Sequence, residues 1–564
     1  MTFKNSLVAQ VLCEIRLLFA VVLTVAALAP VDAHAFVRIT YNGNPVKWPN
    51  NSVSYRINAA SFRNNSGIGG MSDAMWERWV AFATSVWRER TGANIAINYL
   101  GTTSATSCQA PANNVNEIIM VAGCRPGQMP PCPTAGEAAY RTIDLDGTIR
   151  EVDLCIYQGD PFTWRISGGQ YASNELDLIG VLAHEFGHVL GLDHSNGSYS
   201  GSGGTVMHST GIDGMVGTFF RYPTGDDIMG IRAIYGVRTN EFRRWRRRTT
   251  GAWSSTKTIG NAVNVHTNAA IANSGASASS VVVTALATDG ERVDFSRAPY
   301  PLSGSPAWVN RFTIKSSWRP PSVAGRTGAG SPRWVAAWAN KRVDFGNPGV
   351  LFGATGITLL VSDDLFDTGS EVLLPSESTV HDPIVVYHQA SGRFVLLYVG
   401  HDSSTVKQDR LFAMTSLDGF AWTPAQNIIE IAPDAVDATC FSSDSCMMSY
   451  GDGIENFPLP VTRGFTVDAA TGSIGTYSHT TDVFTVAFRT PSAGVTGGPL
   501  WFLAHRSTTA ADDASGGGTI ITSSSTSVPF SSFSWTNVES AKHRPDLAMQ
   551  FKVVNGESYL FFVK

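Results

Sequence analysis

Three histidines and a glutamate stand in one eleven-residue stretch, His184-Glu185-Phe186-Gly187-His188-Val189-Leu190-Gly191-Leu192-Asp193-His194. On a helix, residues four apart share a face, so His184 and His188 can present two imidazoles to one metal ion. Glu185 sits beside the first of them, placed to hold a metal-bound water without coordinating the metal itself. Gly191 tolerates the positive φ that lets the chain leave the helix and turn back, which brings His194 in as a third ligand. Three neutral nitrogens and one open position form the layout of a catalytic zinc site rather than a structural one. The chemistry such a site supports is hydrolysis. The ion polarises a carbonyl and brings the pKa of its water toward neutrality. Glu185 accepts the water proton as general base and passes it to the departing amine.

The string HExxHxxGxxH with a methionine downstream resembles the metzincin signature. His194 is followed by Ser195 and then by Thr205-Val206-Met207-His208-Ser209, which resembles the Met-turn, with Met207 as an apolar floor beneath the zinc. Astacins and serralysins carry a tyrosine where this chain has Ser209, so the chain is most similar to the matrixin branch, over residues 36 to 237. The resemblance implies an endopeptidase with one catalytic zinc on His184, His188 and His194, and Glu185 as the base. It also implies that residues after Met207, through about Tyr222, wall the pocket for the side chain following the scissile bond.

The elements needed to position these residues can be read from periodicity. Val53 to Ile57, then Ile95, Ile97 and Tyr99, alternate as half-buried strands do, and Ile118 to Val121 reads as a buried strand. Ser72 or Asp73 can cap a helix that carries Met75, Trp79, Phe82 and Val86 on one face and ends at Gly92. Ala138 to Ile143 and Val152 to Ile156 flank a turn at Asp144-Leu145-Asp146-Gly147. This strand pair resembles the matrixin edge hairpin, whose outer strand aligns a substrate backbone by β-augmentation. Asn174, with Asp177 three residues on, can cap the zinc-motif helix. Asp226 to Tyr235, closed by Gly236, reads as a last helix. The expected fold is an α+β catalytic domain, a mixed twisted sheet with three helices, over residues 36–237. Asp144 and Asp146 could also hold calcium, although a plain Asp-Gly turn explains them. This half has only four histidines, so the histidine-built structural zinc of many animal matrixins is not expected. Cys124-Arg125-Pro126-Gly127 resembles a cysteine switch, but in the wrong order and place.

Composition sets the context. A chain of 564 residues should form more than one domain, and 15% charged residues with a net charge of −5 give no reason to expect nucleic acid. Lys4 and Arg16 precede an apolar run from Leu17 to Ala29 and then Ala33-His34-Ala35, the pattern of a signal peptide in residues 1–35, cleaved after Ala35, with no stable membrane insertion. Cys13 leaves with that segment. Six cysteines remain, an even number that suits disulfides in an exported protein. Cys440 and Cys446 would close a small loop, and Cys108, Cys124, Cys132 and Cys155 allow three pairings.

Residues 238–564 repeat. Trp253, Trp308, Phe366, Trp422, Tyr477 and Trp535 recur at spacings of 55, 58, 56, 55 and 58, each followed by an apolar strand: Val281 to Ala287, Trp334 to Ala339, Phe394 to Val399, Cys446 to Tyr450, Leu500 to Ala504 and Tyr559 to Val563. Six such units point to an all-β domain built as a six-bladed β-propeller, with a β-sandwich pair as the alternative. Ser416-Leu417-Asp418-Gly419-Phe420-Ala421-Trp422 resembles the turn motif of sialidase-like and glycosidase-like propellers. Arg243, Arg244, Arg246, Arg247 and Arg248 around Trp245 could contact a polyanion, but read more simply as a strand. Function is then a secreted zinc endopeptidase acting on protein or peptide, with a propeller that holds a glycan, protein or surface ligand. The alternatives are a binding protein with secondary protease activity, against which the intact Glu185 argues, and a protease that is also a glycoside hydrolase through Asp382.

Overall fold

The structure, a computed structural model, describes residues 36–238 apart from short segments, the longest being 129–133, 167–173, 196–205 and 208–220. From 243 to 563 it describes the strands and part of the turns between them. The expected signal peptide, residues 1–35, therefore lies outside the described residues, as do Trp253, Trp308 and Trp535. No described helix is long and apolar enough to cross a membrane.

The fold is mixed α+β with few helices. Its first part carries a five-stranded sheet of β1 (Ser52–Ile57), β2 (Ala96–Thr102), β3 (Asn116–Ala122), β4 (Gly136–Ile143) and β5 (Ile149–Gln158), in the order β2-β1-β3-β5-β4. The pairs β1–β2, β1–β3 and β3–β5 are parallel and β4–β5 is antiparallel, so among the described residues β4 is an edge strand paired on one side only. Four α-helices accompany the sheet among the described residues: α1 (Ala59–Asn65), α2 (Asp73–Glu89), α3 (Leu178–Val189) and α4 (Gly225–Tyr235). The extra one, α1, starts where Asn58 accepts a hydrogen bond from the Ser61 amide, a capping signal hidden behind the strand pattern that precedes it. The buried face of α2 is wider than its sequence stripe: Trp76, Val80, Ala83 and Trp87 are buried as well as Trp79, Phe82 and Val86. The helix packs on both the sheet and α3, and Trp87 donates from Nε1 to the Ala183 carbonyl of α3 at 2.7 Å.

One sequence expectation needs correction here. The cap of α3 is Asp177 itself, which accepts from the Gly180 amide at 3.0 Å, because Glu175–Asp177 is a short strand, paired in parallel with Thr163–Arg165, and delays the helix. At Asp144 and Asp146 the structure has the plain turn that was the simpler reading. Asp144 is ion-paired with Arg150 at 2.6 Å and Asp146 accepts from the Thr148 amide, as in a plain turn. Cys108 is bonded to Cys155, and Cys124 is also in a disulfide, whose other half lies outside the described residues.

From residue 243 the described chain forms six four-stranded antiparallel sheets, spanning 264–313, 322–375, 380–429, 436–479, 492–540, and a last one in which strands of 550–563 pair with 243–258. All six apolar segments picked from the sequence are second strands of these sheets: Ser280–Ala287, Trp334–Ala339, Arg393–Asp402, Ser445–Gly451, Leu500–Arg506 and Glu557–Val563. The arginine cluster is a strand, Arg243–Arg248, paired on both sides. Cys440 lies directly opposite Cys446 across a strand pair.

Neighbouring sheets are latched at the turns between their third and fourth strands. Arg297 of one sheet donates to the Asp364 carbonyl of the next, Arg333 to the Asp418 carbonyl, and Arg393 to the carbonyls of Ala469 and Ala470. Those turns are built by Asp364, Asp418 and Asp468, each accepting from amides two to four residues ahead. Phe366 and Trp422, spaced alike in the sequence, are not equivalent in this frame. They stand four and six residues after matching turn serines, Ser362 and Ser416.

Two outcomes test this packing. Gly472 has φ +78°, and an added Cβ would lie 2.2 Å from Thr415 Oγ1 of the preceding sheet. Gly472→Ala should cost about 1–3 kcal/mol of stability, read by denaturant unfolding, while Gly43→Ala, with nothing within 4 Å, reports backbone strain alone. In the first part, burial pushes the Asp153 carboxyl up to about 7; Glu117 and Glu151 add to the shift, while the Glu117 amide and Arg141 oppose it. A carboxyl held above its unfolded value destabilises the fold as pH rises through that value. Asp153→Asn should raise the melting temperature at pH 8 and lose that advantage toward pH 4. A shift of equal size at every pH would contradict the assignment.

Candidate active site

His184, Glu185 and His188 all lie on α3, with His184 and Glu185 buried and His188 mostly so. The helix stops at Leu190. Gly191, at φ +94°, then reverses the chain so closely that an added Cβ would stand 2.7 Å from the Val46 carbonyl oxygen. His194 comes back over the helix. Its Nε2 is 3.2 Å from Nε2 of His184 and 3.1 Å from Nε2 of His188. For zinc–nitrogen bonds of about 2.0–2.1 Å, a tetrahedron has edges of about 3.3 Å, so these separations suit one ion.

The ring orientations are fixed from outside. Nδ1–H of His184 donates to the Val206 carbonyl at 2.5 Å, and Nδ1–H of His188 to the Leu192 carbonyl at 2.7 Å, tautomers assigned from those partners. Each Nε2 is then left with its lone pair aimed at the shared point. Burial lowers His188 to about 4 and also lowers His194, so both rings stay neutral, the form in which imidazole binds metal. These three side chains could hold a metal ion, and they are the one such group among the described residues.

Glu185 points to the edge strand. Its carboxylate accepts from the Ala138 amide, and Gly136 leaves the space it occupies: an added Cβ there would stand 2.7 Å from Glu185 Cγ. Burial raises the Glu185 carboxyl to about 8, and Glu137 next to it pushes the same way. Glu137 is itself held by Arg125 at 2.6 Å and by the Tyr157 hydroxyl. A cation at the imidazole cluster would oppose that rise and favour the ionised base.

Met207 is buried, 2% exposed, with its Sδ against the backbone of α3 at Gly187. Two residues hold this segment's backbone. Asp227 of α4 accepts from the Val206 amide at 2.8 Å and the Met207 amide at 3.2 Å, and Ser195 donates its amide to the Met207 carbonyl at 2.8 Å. Gly187 makes room, since a Cβ there would meet Met207 Sδ at 2.2 Å and the Trp87 ring at 2.6 Å.

The structure thus brings together Glu185, His184, His188, His194 and Met207, all five of the residues singled out from the sequence. It adds Gly136, Gly187 and Asp227, which sequence reasoning did not assign. Gly187 did carry a signal. Glycine inside a helix costs about 1 kcal/mol relative to alanine, so its presence between the two histidines asks for a close neighbour. Asp382 sits on the strand Val380–His388, where the register slips between His381 and Ile384, and its side chain lies outside the described residues.

Residues 137–236 match the matrixin family. No curated protein matches the chain. Among solved structures the chain is similar to a GH93 α-L-arabinofuranosidase of Fusarium graminearum, at 12% identity and TM-score 0.35 over 53% of this chain and 92% of that one. It is similar also to an α-L-arabinanase of Penicillium chrysogenum, at 11% identity and TM-score 0.36 over 54% and 94%. A fucose lectin from Kordia zhangzhouensis gives 10% identity and TM-score 0.21 over 29% and 99%. Likenesses this weak say nothing of what this chain binds or cuts.

Gly187→Ala would force Met207 and Trp87 apart. We expect a loss of about 1–3 kcal/mol in stability, together with weaker zinc retention on dialysis against a mild chelator. Unchanged melting and unchanged retention would show that the methionine does not depend on that gap.

Proposed function

We propose that the protein is a secreted zinc-dependent endopeptidase. The observation that carries this is the convergence of three imidazole nitrogens, those of His184 and His188 each within 3.2 Å of that of His194, beside a buried carboxylate that points to an edge strand of the described sheet. In this reading His184, His188 and His194 hold the ion and Glu185 is the general base. When bound, zinc supplies the Lewis acid and lowers the pKa of a water. The chain supplies everything else. A peptide added along β4 meets main-chain donors and acceptors in register, which sets its carbonyl beside Glu185. Glu185 takes the water proton and returns it to the leaving amine. The Val206 and Leu192 carbonyls hold His184 and His188 in orientation, and Met207 closes the floor. The matrixin match over 137–236 supports the same assignment.

The division of the chain is part of the proposal: a signal peptide in 1–35, a matrixin-like catalytic domain in 36–237, and a propeller-like domain in 238–564. Support for six blades comes from the six four-stranded sheets, from first strands lying beside one another from sheet to sheet, and from the last sheet joining both ends of this part. Pairing the first strand with the last removes a free edge. The domain's role in this reading is to hold a protein or glycan surface near the catalytic centre.

Three measurements test the proposal. Residues 36–564, produced by an oxidising route, should carry about one zinc per chain and cleave a quenched protein substrate. A chelator should abolish the cleavage, and Glu185→Ala should keep the zinc while lowering the rate by about 10²–10⁴-fold. Cleavage that survives Glu185→Ala would reject the assignment of the base. Export of the full chain should yield a mature N-terminus at Phe36, read by terminal sequencing.

A further inference from the structure

Tyr140 stands on β4 two residues beyond Ala138, and both pack against the hydrophobic core. The Tyr140 hydroxyl donates to the main-chain carbonyl of His188, near the end of α3. That carbonyl also accepts from the Gly191 amide at 2.8 Å, the bond that closes the helix exit. The next two carbonyls have aromatic donors of their own. Trp48 Nε1 donates to Val189 at 2.9 Å and the Tyr235 hydroxyl to Leu190 at 2.8 Å. Satisfying the end of the helix therefore does not call for Tyr140, since the His188 carbonyl is paired without it. Solvent would satisfy the hydroxyl of a partly buried tyrosine just as well. Directly after Tyr140 the register slips: Tyr140 faces Val152 and Thr142 faces Glu151, with Arg141 as the extra residue. Bulges of this kind re-aim a side chain.

What the bond sets is a position. His188 is held through its ring by the Leu192 carbonyl and through its own carbonyl by the Gly191 amide. Both partners belong to the same short turn, so they fix its shape but not where it stands. Tyr140 refers that turn to the sheet, on the strand whose Ala138 amide also holds Glu185. We infer that Tyr140 is a positioning residue for the metal site. Its hydroxyl fixes the end of α3 against β4, so that His188 and, across the Gly191 turn, His194 keep the separation one ion requires. This rests on the zinc site of the reading above and is independent of the substrate.

The test measures zinc affinity of the full exported chain by competition with a chromophoric chelator. Tyr140→Phe deletes the donor and keeps the ring. Tyr55→Phe is the matched control, because the Tyr55 hydroxyl is bonded to Thr84 Oγ1 at 2.7 Å in the packing of β1 on α2. Tyr140→Phe should weaken zinc binding about 10–100-fold, while Tyr55→Phe stays within about threefold. An affinity within about threefold of wild type in Tyr140→Phe would overturn the inference and leave the zinc site standing. Equal weakening in both variants would also overturn it, since the loss would then follow from general stability. Wild-type chain that binds no zinc would overturn both the inference and the reading beneath it. Should Tyr140→Phe fail to fold, Tyr140→Met, apolar and more pliable, takes its place under the same criteria.

Discussion

The constraint on which the first part of this protein depends is the gathering of three imidazoles around one point in a buried setting. Left to themselves, rings with Nε2 atoms 3.1–3.2 Å apart would turn away or seek other partners. Each lone pair aimed inward must be matched by an N–H satisfied outward. Two of the outward partners are main-chain carbonyls, of Val206 and Leu192, which come from segments well separated from His184 and close to His188 respectively. The tertiary fold is needed for the first and a tight helix exit for the second. Neither can be supplied by the helix alone.

From that point the supports run outward in series. Val206 and Met207 are fixed by Asp227, and Asp227 is fixed by α4, whose Arg232 donates to the Thr91 carbonyl just beyond α2. The Tyr235 hydroxyl at the end of α4 donates to the Leu190 carbonyl, where α3 stops. The three helices are thus tied to one another where α3 ends and where the Val206–Met207 segment passes beside it. Glycines occur where backbones or side chains must approach within a methyl group of each other: Gly136 against Glu185, Gly187 against Met207, Gly191 against Val46. Close approach of this kind gives rigidity without adding any new functional group.

The histidine cluster was largely legible in the sequence because its members are local. His184, His188 and His194 lie within one helix and its exit, so a spacing rule suffices. The strands and the long helices of the first part followed from periodicity, and the six second strands beyond residue 280 from apolar runs. What escaped was non-local or polar. Asp227 is twenty residues from Met207, and an aspartate in a helix's first turn reads most simply as a favourable charge at the helix terminus. Asp177 took over the cap from Asn174 because a short strand extends to it, a pairing that three residues cannot announce. The arginine latches between successive sheets leave no periodic trace, since Arg297 lies on a third strand while Arg333 and Arg393 stand at the start of second strands. The aromatic spacing did locate the repeats, but by average unit length rather than by equivalent position.

The central claim is that one zinc ion is held by three histidine nitrogens of this chain. X-ray absorption at the zinc edge of the purified protein tests it most directly. The account predicts three imidazole nitrogens at about 2.0–2.1 Å with one or two oxygen neighbours, and one imidazole fewer in His194→Ala. A zinc shell containing sulfur, or one unchanged by His194→Ala, would contradict it.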